Sequence, residues 1–438
     1  MDSTMKLEKY SFGMGDRFGA EGAAQLRALQ QAEHEGILII PVWNKSNREH
    51  ITIGTTPEDT RVEADNAVRT SGWTHSYRVD ADHIGLATFT RFLDPSDFFT
   101  IDVADFIGVS PEKETVRAFV SAMDTFKGTL SIPGIDRPFI VTDKTLSDIA
   151  AKYLTAIIEA AKVYRAIADR KGAEGFIPEV SVDEAGAPQT PVELFFILAA
   201  AAREGIPLQT IAPKFTGSFL KGVDYVGDRA RFQEEFEDDL AVLSFAVQTF
   251  NLPSNLKLSV HSGSDKFSLY PIIRRAIMKS DSGLHIKTAG TTWLEELIGL
   301  ASAGGEGLKV AKEVYAAAVR RYDELCGPYK TVIDIDKARL PKPENVAGWS
   351  GEEYVETLRH DQSCGRYNVH FRQLVHVAYK IAAEMRDRYA GLLQECRKEI
   401  EENVTLNLYE RHVRPLFLGK QPPSHAEPSL KISEAGTR

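Results

Sequence analysis

Asp183 and His261 occupy the same place in two short segments of matching pattern, Val180-Ser181-Val182-Asp183 and Leu258-Ser259-Val260-His261. In each, a few β-forming residues run straight into an ionisable one. Pro138–Thr142 likewise ends at Asp143, Leu208–Ala212 ends in Pro213-Lys214, and Leu284–Lys287 carries His285 and Lys287 two residues apart. Period-two alternation puts that last pair on one face of a strand. Aligned by their apolar cores, the segments give a layer made of Asp143, Asp183, Lys214, His261 and Lys287. Charge at the C-terminal ends of otherwise apolar parallel strands is how an α/β enzyme builds an active site. Any one of these groups also fits a solvated loop cap. Five successive strand ends point to a shared task, because buried charge is costly unless paired or metal-bound.

The donor set suggests a divalent metal. Asp183 or Glu184 offers carboxylate oxygens, and His261 and His285 offer imidazoles from neighbouring strands. A mixed nitrogen and oxygen set suits Mn, Co, Ni, Zn or Fe better than Ca or Mg. The competing reading makes one or both histidines hydrogen-bonding site residues. In the loop His261–Lys266, Ser262 and Ser264 supply hydroxyls just before a helix start, which favours a hydroxylated or anionic substrate. Asp265 reads as a general base or as the cap of the next helix. Lys214, Lys266 and Lys287 would pair with a substrate carboxylate or phosphate, and Thr288 opens a further turn of small and hydroxyl residues. The Gly-rich run 214–228, with Lys221 and Asp224, is a lid or a plain turn. No GxGxxG follows a strand, and neither a P-loop nor a GxSxG elbow is present. A nucleotide cofactor is therefore not expected.

These residues need strands to hold them. From residue 138 onward, strand-like runs alternate with helical ones: helices at Leu146–Asp169, Pro191–Glu204, Arg229–Phe250, Ser268–Met278 and Trp293–Ala301 separate strands at 138–142, 179–183, 208–212, 257–260 and 284–287. Such alternation means βαβ units and a parallel sheet. Without a nucleotide-type turn it favours a (β/α)8 TIM-type barrel with an elaborated N-terminal region and additional C-terminal helices. Residues 1–135 form the irregular N-terminal part, with a buried strand at 36–44 and up to two more within 86–108. Residues 136–302 carry the site, 303–418 form a helical region completing the domain, with one or two long helices over 366–405, and 419–438 read as a disordered tail.

At 438 residues with 43% hydrophobic content, the chain is large enough for such a barrel. A net charge of −10 with no basic block disfavours nucleic acid as a partner. Three widely spaced cysteines without CxxC suit a reducing cytoplasm, and no apolar run is long enough for a membrane span. The expected partner is a small molecule, with a homo-oligomer left open.

The segments EVSVDEAGAPQTPVELFFI (179–197), APKFTGSFLKGVDYVGD (212–228), SVHSGSDKFSLYPII (259–273), HIKTAGTTWLEEL (285–297) and HVAYKIAAEM (376–385) resemble the tagaturonate epimerase family over most of residues 135–415. The resemblance implies a metal-dependent isomerase that interconverts D-tagaturonate and D-fructuronate in hexuronate catabolism, with a sugar acid or ketose as substrate. The inverted carbinol carbon lies β to the ketone, so enolisation cannot invert it; transient oxidation by a bound nicotinamide and retro-aldol cleavage with re-addition remain, and without a dinucleotide fingerprint retro-aldol is favoured. On that basis the metal goes to Asp183, His261 and His285, with Glu184 beside them. Proton transfer goes to Asp143 or Asp265, and anchoring to Lys214, Lys266 and Lys287. A tagatose/fructose 4-epimerase, another metal-dependent sugar isomerase or aldolase, and a non-enzymatic sugar-acid sensor are the alternatives.

Overall fold

The computed structural model describes residues 4–288 and 290–420. Eight parallel strands close into a barrel: β1 (Tyr10–Gly15), β2 (Ile40–Ser46), β3 (Arg78–Ile84), β4 (Phe98–Asp102), β7 (Ile177–Ser181), β8 (Thr210–Ala212), β9 (Lys257–Val260) and β10 (Leu284–Thr288). Two further strands, β5 (Gly128–Leu130) and β6 (Phe139–Val141), pair antiparallel as a separate hairpin. The expected strand at 138–142 is therefore not a barrel stave. Its place is taken by β3 and β4, and β1 closes against β10 in the register Gly13 to Lys287.

Side-chain alternation explains both faces of the wall. Phe12, Met14, Val79, Ala81, Phe99, Ile101, Val180, Val182, Leu258, Val260 and Ile286 are buried in the main core, which lies between strands and helices. The alternate residues point inward. At the N-terminal end these are Val42, Phe98 and Ile177, which pack with Leu7 into a small apolar plug. The N-terminal stretch seals that end: Lys257 Nζ donates to Leu7 O (3.0 Å), and the Gln209 side chain takes the Leu7 N–H (2.8 Å) and donates to Met5 O (2.8 Å). Above the plug the inward residues turn polar, as in a barrel whose C-terminal face does the chemistry.

The helices start where their caps dictate. Thr190 and Glu193 form a capping box ahead of the helix Pro191–Arg203, with proline at its first position. The Asp228 side chain accepts from Ala230 N and Arg231 N to open the helix Arg229–Phe250. The stretch 366–405, expected as one or two long helices, instead holds four: Val369–His376, Tyr379–Glu384, Asp387–Glu395 and Arg397–Leu406. Among the described residues no helix is long and apolar enough to cross a membrane. The expected tail is described only at residues 419 and 420, and the rest of it lies outside the described residues.

Candidate active site

Lys287, on β10, sends its ammonium across the barrel into a cage of carboxylates. Nζ lies 2.6 Å from Asp80 Oδ2, 3.1 Å from Asp82 Oδ1 and 3.1 Å from Glu179 Oε1, and donates to the Thr100 hydroxyl. Gly13 on β1 makes room for the lysine stem, since a Cβ there would stand 3.0 Å from Lys287 Cγ and 2.9 Å from Asn44 Nδ2. Thr100 Oγ1 lies 3.0 Å from Asp80 Oδ1 and 3.0 Å from Glu179 Oε1. Glu179 in turn meets His261 Nε2 at 2.8 Å, and the other ring nitrogen, Nδ1, faces Asp183 Oδ2 at 3.3 Å without a well-aligned hydrogen bond. The His83 ring stands edge-on to His261 with centroids 5.1 Å apart, and its Nδ1 meets Asp102 Oδ2 at 3.2 Å.

The cage is graded from sealed to open. Asp80 and Glu179 are fully buried, whereas the side chains of Asp183, His83 and Asp102 are 24%, 28% and 30% exposed. The open edge of the mouth therefore lies along β3, β4 and β7. Titration follows the same gradient. Burial opposes the Lys287 charge, but Asp80, Glu179 and Asp82 outweigh it and hold the ammonium above its ordinary value. Burial pushes Asp80 up to about 7 against the pull of Lys287. Asp82 is also opposed by burial, yet Lys287 and then His83 bring it down to about 2. His261 is raised despite burial, chiefly by Asp183, and His83 rises to about 10 beside Asp82 and Asp102. Negative charge thus exceeds the one fixed cation, which favours the protonated form of both imidazoles.

A model of the tagaturonate epimerase family matches residues 2–416. The chain belongs to this family. A tagaturonate/fructuronate epimerase from Thermotoga maritima is 29% identical over 426 residues, covering 92% of this chain and 79% of that protein. Among solved structures, a glycerol complex of a fructuronate-tagaturonate epimerase from Cohnella laeviribosi has a TM-score of 0.78 at 23% identity, covering 94% of this chain and 82% of that one. The native crystal structure of the same enzyme gives 0.75 at 23% identity, covering 95% and 83%. The barrel is the fold of these epimerases, and the reaction class is that of an isomerase.

Within this tagaturonate epimerase family member, the expected site residues divide sharply. Asp183, His261 and Lys287 meet at the barrel mouth. His285 lies one step deeper, with Nδ1 2.8 Å from Ser11 Oγ and its ring 5.2 Å from Phe98, so it belongs to the interior layer above the plug. Glu184 is exposed on the following turn. Lys214 continues β8 at the rim and is half-buried.

Five other expected site residues are engaged elsewhere by their surroundings. Asp143 is 75% exposed, opens a helix after the separate hairpin and pairs with Lys127, because its strand is not in the barrel. Asp265 is sealed under the C-terminal helices, 2.7 Å from Arg372 Nη2. Lys266 gives its ammonium to Leu220 O (2.9 Å), Val223 O (2.7 Å) and Ser264 O (2.9 Å), so it ties down the 214–228 loop. Thr288 donates to Gly13 O (2.8 Å), and Ser264 pairs with the Thr291 hydroxyl. Ser262 stays near the mouth, where its hydroxyl accepts from Lys221 Nζ (3.0 Å).

Asp80, Asp82, His83 and Asp102 are not among the residues the sequence marks, and Glu179 is marked only as part of a strand. Their signal was the Asp80-Ala81-Asp82-His83 run, two carboxylates at strand spacing bracketed by Val79 and Ile84. Among the described residues no group of three or more His, Cys, Asp or Glu side chains is arranged to hold a metal ion as it stands. His83 is turned to Asp102 and His261 to Glu179. The chemistry of the set nevertheless suits a cation: Asp183 and His83 lie on the open rim with the buried His261 against both, His261 Nδ1 lacks a hydrogen bond, and the surrounding carboxylates favour extra positive charge.

Proposed function

We propose that this barrel interconverts D-tagaturonate and D-fructuronate, by metal-assisted retro-aldol cleavage and re-addition. The observation that supports this most directly is the Lys287-centred carboxylate cage opening onto His83, Asp183 and His261 at the C-terminal mouth of a barrel in this family. The metal would be held by His83, Asp183 and His261, with His83 giving up its contact to Asp102 while His261, whose Nδ1 is unpartnered, keeps its contact to Glu179. When bound it supplies Lewis acidity to the ketone oxygen.

The chain's own groups account for the proton. Asp82 sits between the buried cage and the rim, ionised beside Lys287. It accepts the proton of the carbinol hydroxyl as the bond between the carbinol carbon and its neighbour α to the ketone breaks. The electron pair of that bond goes to the ketone-bearing fragment as an enediolate, and the carbinol carbon becomes an aldehyde. After the aldehyde turns, re-addition reforms the bond on its other face and Asp82 returns the proton. Lys287 keeps Asp82 charged and aimed. Glu179, pulled well below the usual carboxylate range despite burial by Lys287 and His261, keeps the His261 ring oriented.

The test is turnover of each uronate, followed by NMR, after chelation and reloading with Mn, Co, Ni or Zn. Interconversion restored by a metal is the expected result, with no solvent deuterium on the carbon α to the ketone beyond free exchange. Deuterium appearing there at the rate of turnover would exclude retro-aldol, and no interconversion under any loading would exclude the function.

A further inference from the structure

The expected carboxylate anchors do not include a free cation at the mouth except Lys214, since Lys266 is spent on carbonyls and Lys287 on the cage. A second positive region lies beside the mouth, where the 214–228 loop meets the end of β1 and the helix Val369–His376. Lys221 leads it. Its backbone N–H is pinned to Val332 O (2.8 Å), while its ammonium donates to the Ser262 hydroxyl (3.0 Å), one residue beyond His261. Among the described residues that ammonium has no ion-pair partner. Burial and then Arg17 depress its pKa, while Glu49, Asp82 and Asp183 pull the other way, which places it within electrostatic reach of the cage.

Arg17 is 5% exposed, pairs through Nη1 with Glu49 and lies over the Tyr379 ring at 3.7 Å. Its Nη2 faces Gly290, where a Cβ would stand 3.0 Å from Nη2 and 2.5 Å from His376 Nε2. Gly290 has φ of +83°, so both sterics and backbone favour glycine there. His376 is 1% exposed, and neither ring nitrogen has a hydrogen-bond partner among the described residues. Two cations with one carboxylate between them, plus an imidazole with both nitrogens unused, form an incompletely satisfied buried polar set. Such a set calls for an anionic guest with several acceptor atoms.

We infer that Lys221 and Arg17, assisted by Ser262 and His376, form the subsite that takes the substrate's carboxylate and so sets preference for a ketohexuronate over a neutral ketohexose. This rests on the function proposed above. It also assigns this lysine a purpose: a desolvated ammonium with no ion-pair partner among the described residues lowers stability unless a ligand completes it.

The experiment compares D-fructuronate with D-fructose by calorimetry on the intact chain, using wild type, Lys221→Met and Lys221→Arg. Wild type is expected to bind the uronate more tightly. Lys221→Met should weaken uronate binding at least ~30-fold, as for loss of one partner of a buried charge pair, and change fructose binding less than about threefold. Its melting temperature should not fall, because an unpaired buried charge has been removed, and Lys221→Arg should restore most of the preference. Equal losses for both sugars, an unchanged uronate affinity, or a lowered melting temperature with the preference intact would each overturn the inference. A wild type that binds and epimerises both sugars equally well would overturn it while leaving the epimerase reading standing. One that binds neither would end both.

Discussion

Two buried ionic clusters in this molecule look alike by burial and by titration, yet they differ in what they can do. One is the Lys287 cage; the other is Asp265 beneath the C-terminal helices. Asp265 is fully buried, 2.7 Å from Arg372, with His412 Nε2 at 3.5 Å and His360 Nδ1 at 3.9 Å. Burial opposes its charge, but Arg372 and His360 hold its carboxyl well below the ordinary range, much as Lys287 holds Asp82. The difference is access and neighbours. Arg372 spends its remaining donors on Gly222 O and on Leu358 O (2.8 Å), and the Asp265 N–H reaches His412 Nε2 (3.0 Å). That cluster therefore staples the β9 loop and the 214–228 loop to the C-terminal helices. The Lys287 cage grades outward to the part-exposed Asp183 and His83, where a substrate can reach it. A shifted pKa marks a strong local field; exposure of one edge separates a reactive field from a structural one.

The comparison breaks most readily at the two cations. Replacing Lys287 with Met should cut kcat/KM about 10⁴-fold, at the upper end for disabling an acid–base network, and should alter the pH–rate profile of what remains. Replacing Arg372 with Met leaves Asp265 buried and unpaired. It should cost about 3–5 kcal/mol in urea unfolding and leave the pH–rate profile of the folded protein in place. If Arg372→Met instead moved that profile, the distinction between the clusters would fall.

Two smaller effects sharpen the picture within the barrel. His83→Gln should weaken metal binding at least ~10- to 100-fold in a chelator competition, whereas His285→Gln should leave it unchanged. The opposite result would return the metal to the deeper layer. Burial lowers His285 to about 3, against about 6.5 when unfolded. Between these values only the unfolded chain carries the proton, so this group makes stability rise with pH, with its contribution complete above pH 6.5 and lost toward pH 3. The stability of His285→Gln should therefore climb less steeply between pH 4 and 6, by up to ~1.4 kcal/mol per pH unit, as measured by denaturant midpoints.

Much of the barrel was legible because its later units keep the helical and strand periods cleanly. The helix Arg229–Phe250 and the strand Lys257–Val260 fall where their patterns place them. The N-terminal staves were not legible for a physical reason. β3 reads Arg-Val-Asp-Ala-Asp-His-Ile, which as an isolated segment is a polar stretch with two acids. Only a lysine arriving from β10, 207 residues away in the chain, makes those acids tolerable inside a barrel. The strand at 138–142 misled for the converse reason, since a short apolar run before a helix cannot tell a barrel stave from an outlying hairpin.

The sequence by itself determined the βα rhythm, the family likeness and the meeting of Asp183, His261 and Lys287, because strand ends of parallel βα units must share one face of the sheet. It could not say which charged loop residues face the mouth. Asp265 and Lys266 stand five and six residues beyond Val260, in the densest functional-looking loop, yet both turn into packed interior. Lys221, in a loop that reads as a lid or a turn, faces the site instead. That choice belongs to the tertiary structure, because it depends on which partner each charge finds: an arginine from the helix Val369–His376 for Asp265, backbone carbonyls for Lys266, and for Lys221 a single hydroxyl at the edge of the mouth.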